Sequence, residues 1–108
     1  MRDTALAENL VSHLTDRNAA TAVGRSATGL LILLSLWKSS SVKQKIALPS
    51  FLCQSPLAAI LLAGWEPVFC DIDLKTGNVP LSEWLRVTEL GVDAILFVHL
   101  FGNVCDAS

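Results

Sequence analysis

The sequence predicts an α/β fold of αβα layers, with helices covering both faces of a parallel sheet. Two observations predict it. Short, almost continuous apolar runs at 45–48, 67–72 and 94–98 suit strands buried on both faces. Between them lie segments with helical spacing of apolar residues, closed by Gly64 and Gly91. Strands alternating with helices in this way form parallel sheets.

Each element has its own local reason. Residues 4–14 place Leu6, Leu10, Val11 and Leu14 on one helical face, so an amphipathic helix is expected within residues 1–18. Residues 19–23 are small and apolar and run into Gly24, which reads as a first buried strand. Ser26 or Thr28 is a suitable cap for a helix reaching Trp37, which Lys38-Ser39-Ser40-Ser41 breaks. The strand at 45–48 stops at Pro49. Ser55-Pro56 then reads as a helix start, serine as cap and proline in the first turn. That helix carries Ala58, Ile60 and Leu61 and ends at Gly64. After the 67–72 strand, residues 73–78 form a polar turn, 81–90 a helix and 94–98 the last strand, which ends at His99.

Composition narrows the function. In 108 residues, 52% are hydrophobic and 17% charged, an apolar balance for one small domain. The expectation is therefore a part of a larger fold. Net charge is -2 with no basic stripe, which argues against nucleic acid. Cys53, Cys70 and Cys105 are odd in number and lack zinc-knuckle spacing, so a reduced cytoplasmic chain is the simplest reading. Met1-Arg2-Asp3-Thr4 lacks the apolar core of a signal peptide. The apolar runs at 30–34 and 57–63 fall well short of the roughly 20 residues a membrane helix needs.

Ligands of open parallel sheets collect at the carboxyl ends of strands. Three such ends stand out: Gly24-Arg25-Ser26-Ala27-Thr28-Gly29, Pro49-Ser50-Phe51-Leu52-Cys53, and His99-Leu100-Phe101-Gly102-Asn103. In the first, free N–H groups at a helix start, with hydroxyls beside them, suit a phosphate. Small residues there also suit an ordinary structural turn, and the segment matches neither nucleotide-binding glycine pattern. Arg25 is a candidate anion partner or a surface ion-pair residue. Asp71 and Asp73 share a strand face, yet strand-end and turn roles are the simpler reading, as for Asn78. His99 is either a structural histidine or an active-site one. His13 is expected on an exposed face, Cys70 in the core, and Trp37, Trp65 and Trp84 in packing.

A longer pattern joins these ends. The run from Pro49-Ser50-Phe51-Leu52-Cys53 through Ala63-Gly64-Trp65 to Pro67-Val68-Phe69-Cys70-Asp71-Ile72-Asp73, followed by Val98-His99-Leu100-Phe101-Gly102-Asn103, resembles the DegT/DnrJ/EryC1/StrS sugar aminotransferases. These carry "PVF-x-D-I-D" and "VHLYG" segments and a small-residue "SGTAAL" turn. The resemblance spans about residues 20–106. It implies the first part of the large domain of a fold type I (aspartate aminotransferase-like) enzyme dependent on pyridoxal 5′-phosphate. It further implies a keto-sugar nucleotide substrate, an amino-acid amino donor and a homodimer. In this resemblance Ser26, Ala27 and Thr28 hold the cofactor phosphate. Two registers stand, with Ser26-Ala27-Thr28 or Arg25-Ser26-Ala27 matching the family's serine-glycine-threonine. Cys53 takes the place of an aromatic residue stacked on the cofactor ring, or else is a structural cysteine. His99 belongs to the same neighbourhood.

The resemblance also places the catalytic lysine, and the acid against the pyridine nitrogen, after the VHLYG-like segment. The lysines here are Lys38, Lys43, Lys45 and Lys75, and none matches that position. The expectation is no catalytic residue within 1–108 and no activity from these residues alone. The family's first strand pairs with strands from later in the chain, so the isolated chain is expected to aggregate or need a partner. Two other readings remain. One is a non-catalytic relative that binds a full-length subunit. The other is an unrelated flavodoxin-like α/β domain.

Overall fold

A computed structural model describes residues 2–39 and 42–105. Met1, Ser40 and Ser41 of the expected helix break, and residues 106–108 lie outside the described residues. The elements, in order, are α1 (Arg2–Leu14), α2 (Ser26–Trp37), β1 (Lys45–Pro49), α3 (Gln54–Leu62), β2 (Glu66–Cys70), α4 (Leu81–Glu89), β3 (Ala94–Ile95) and a 3₁₀ turn, Leu100–Gly102.

The sheet is parallel throughout, in the order β2-β1-β3. Ile46 lies beside Pro67 on one side and Ala94 on the other. As the central strand, β1 is buried from Ile46 to Pro49. Its alternating side chains feed two cores. Ile46 and Leu48 join Leu34 of α2, Ile60 of α3 and Trp65 on one face. Ala47 joins Cys70, Val79, Cys105, and Trp84 and Val87 of α4 on the other. These are the αβα layers expected. Trp65 and Trp84 are core residues, whereas Trp37 is 54% exposed and meets Trp65 at a centroid distance of 5.8 Å.

Several expectations need correction. Residues 19–23 form no strand. No described strand pairs with them, and the Ala22 N–H donates instead to the Glu8 carboxylate at 2.7 Å. Neither Ser26 nor Thr28 caps α2; Arg25 occupies the cap position in extended conformation, with no side-chain hydrogen bond. Ser55 is likewise not the cap of α3, because the helix starts one residue earlier at Gln54 behind Cys53. Pro56 keeps its place in the first turn, where its missing N–H costs nothing. The last strand is shorter than 94–98. Leu96 N–H still donates to Ala47 carbonyl at 2.8 Å. The next β1 donor in that ladder would be residue 49, and Pro49 has no N–H to give.

The end of α3 is as expected. Gly64 has φ 78, and the N–H groups of Gly64 and Trp65 close back on Leu61 and Ile60 carbonyls at 3.0 and 3.1 Å. This double closure is the Schellman arrangement. It turns the chain sharply into β2.

Candidate active site

The helix start at α2 is built from an absence of local partners. The first helical bonds run from the Thr28 and Gly29 N–H groups to the Arg25 carbonyl. The Ser26 and Ala27 N–H groups precede that ladder, and no side chain caps them. They sit at the positive end of the helix dipole. Arg25, Ala27 and Thr28 line a hollow of about 250 Å³ together with Ser55 near the start of α3. The packing of α2 against α3 creates it. Arg25, Thr28 and Ser55 are thus the polar residues of one hollow at the start of α2, a set that suits a phosphate, while Leu31, Ala58, Ala59 and Leu62 make the rest of its wall apolar. Ser26 is exposed at the first helical position and is not part of the hollow's wall. Gly24 has no positive φ, so this turn does not demand glycine.

Two residues before Ser55, Cys53 opens onto a second hollow of about 380 Å³, lined also by Phe51, Pro56, Val98, Leu100 and Phe101. Its walls are apolar, and they come from the ends of β1 and of the last strand segment. Such a surface suits a flat ring. Phe51, Leu100 and Phe101 also bound a third hollow of about 460 Å³, with Lys75 and Thr76 of the turn after β2. The strand ends therefore converge, as parallel topology requires.

His99 sits between two wall residues, Val98 and Leu100, but lines none of these hollows. It is exposed, and its Nδ1 accepts the Cys105 N–H at 2.9 Å. The geometry brings Ala27 and Thr28 to Ser55, and Cys53 to the stretch around His99. Asp73 proves to be turn chemistry: its Oδ1 accepts the Lys75 and Thr76 N–H groups at 2.6 and 3.3 Å. Asp71 gives its N–H to Glu83 Oε2 at 3.0 Å. Glu83 also pairs with Arg86 at 2.8 Å, and that pairing holds its carboxyl down to about 2. Burial pushes the Cys70 thiol up to about 11, which fits an inert core residue.

Sequence reasoning singled out the segments that hold Phe51 and Phe101 without giving those two residues a role, and it gave Ser55 none beyond capping. Ser55 was legible only as a cap, because its nearness to Thr28 depends on helix–helix packing. Phe101 lies in the VHLYG-like segment, but nothing local marked its φ of 54, which is uncommon for a bulky residue.

The sequence matches the DegT/DnrJ/EryC1/StrS aminotransferase family over residues 2–108. The chain belongs to that family. Its fold is also similar to that of Helicobacter pylori PseC, an aminotransferase involved in the biosynthesis of pseudoaminic acid. The TM-score is 0.82 at 19% identity, over 95% of this chain and 28% of that one. The chain thus spans less than a third of that neighbour's length. No curated protein matches it. Among the described residues no helix is long and apolar enough to cross a membrane, and no His, Cys, Asp and Glu cluster could hold a metal.

Proposed function

We propose that these residues form the phosphate-binding and ring-facing part of a pyridoxal-phosphate-dependent aminotransferase acting on keto-sugar nucleotides. The observation that carries this is the uncapped start of α2 opening, with Thr28 and Ser55, beside an apolar hollow that Cys53 lines. When bound, the cofactor supplies an electron sink for moving an amino group between an amino-acid donor and a keto sugar. The chain's own residues bind and orient. The Ser26 and Ala27 N–H groups, the Thr28 and Ser55 hydroxyls and Arg25 would hold the phosphate. Cys53 and its apolar neighbours would lie against the ring and keep water from it.

A lysine for the covalent step has no candidate here. Lys38 reaches over Gly64 at the far end of α3. Lys45 opens β1 at its amino end, and Lys43 precedes it. Lys75 lines the third hollow from a polar turn, away from the family's lysine position. Residues 1–108 are therefore inactive alone. The reading extends to a cytoplasmic homodimer. A binding subunit without activity is the second reading, tested by co-purification with a full-length relative.

The test uses pyridoxamine 5′-phosphate, which has no aldehyde to react with surface lysines. It should quench tryptophan fluorescence and slow alkylation of Cys53 at least several-fold. Thr28→Val combined with Ser55→Ala should weaken both effects about a hundredfold, the loss of two charge-assisted hydrogen bonds at roughly tenfold each. Unchanged Cys53 reactivity at millimolar ligand would sink the pocket.

A further inference from the structure

Hydrogen bonds lace the turn after β2 to the segment after β3. Asn78 is only 8% exposed. Its Nδ2 donates to the Asn103 carbonyl at 3.2 Å and to the Val104 carbonyl at 3.1 Å. In return, Asn103 Nδ2 donates to the Thr76 carbonyl at 3.3 Å. The clamped strip then turns back on itself. Gly102 N–H donates to His99 carbonyl at 3.1 Å, and Cys105 N–H to His99 Nδ1 at 2.9 Å. Asn78 Oδ1 is buried and accepts no hydrogen bond among the described residues, so the side chain acts here only as a double donor. That is a costly use of a buried carboxamide if packing were its whole purpose.

The consequence for His99 is chemical. A neutral imidazole carries one proton. A ring nitrogen that accepts a backbone N–H cannot hold it, so the proton sits on Nε2. We infer that Asn78 is a positioning residue: by clamping the Asn103–Val104 backbone it holds Cys105 N–H on His99 and fixes that exposed ring as an Nε2–H donor.

Long-range proton–nitrogen NMR of the full chain, in mildly alkaline buffer, reads the tautomer directly. His13 on α1 is the internal reference. Wild type should show the Nε2–H pattern for His99. Asn78→Ser and Asn78→Asp should shift His99 to averaged values and leave His13 unchanged. If those variants fail to fold, Asn103→Ala, at an exposed position, removes the reciprocal bond to the Thr76 carbonyl and should shift His99 in the same direction. An Nδ1–H ring in the wild type, or a tautomer indifferent to Asn78, overturns the clamp.

Discussion

Glu83 ties α4 to the end of β2 through one carboxylate. It accepts the Asp71 N–H and holds Arg86 through two nitrogens, at 2.9 and 2.8 Å. The bond from Arg86 is the main reason its carboxyl sits at about 2 rather than 4.5. A lowered carboxyl value stabilises the fold above the unfolded value and loses that effect as the group protonates. Stability from Glu83 is therefore full above pH 4.5 and fades as pH falls toward 2. The Arg86 side chain is 46% exposed, so screening limits the effect to about 1 kcal/mol. Glu83→Gln should lose that amount at pH 7 in urea unfolding, and its stability should fall less steeply over the acid window. The thiols separate just as clearly. Cys53 is exposed, while Cys70 and Cys105 are buried. Iodoacetamide at neutral pH should label Cys53 in the native chain and the other two only after unfolding, as read by peptide mass spectrometry. Labelling of Cys70 in the folded chain would contradict its place in the core.

Elements here depend on their ends as much as on their lengths. Helix α3 has only nine residues, too few to persist alone. Ile60, fully buried, anchors its middle, and Gly64 closes its end. A side chain at Gly64 meets two obstacles. Its φ of 78 is unfavourable for any residue with a Cβ, and that Cβ would lie 2.5 Å from Lys38 Nζ. The lysine tip is flexible and moves aside cheaply, so backbone strain dominates. Gly64→Ala should cost about 1 kcal/mol. Ile60→Ala should cost more, about 2–5 kcal/mol, because it opens a cavity between α3 and the sheet. Reversal of that order in chemical denaturation would show that the cap, not the core, sets the stability of α3.

The whole molecule exposes more apolar surface than a self-sufficient domain would. No residue of α1 is buried, and its Leu6, Leu10 and Leu14 are 63%, 58% and 73% exposed. Helix α2 is apolar nearly all round, yet only Leu34 is buried, with Leu36 82% exposed. A helix of that composition normally lies between other elements. The 108-residue chain should therefore self-associate, visible as concentration-dependent mass in light scattering. A monomer with one sharp thermal transition would contradict this.

What the sequence by itself determined was the order and type of most elements and the family. Apolar period, the helix-closing Gly64 and Gly91, and the Pro49 stop are local, and motifs around Asp71 and His99 lie within single segments. Only the tertiary structure decided that 19–23 joins no described strand, that Ser55 and Thr28 line one hollow, and that Cys105 N–H reaches His99. Those outcomes depend on partners distant in sequence, whose approach is set by packing and hydrogen bonding across elements that no local window contains.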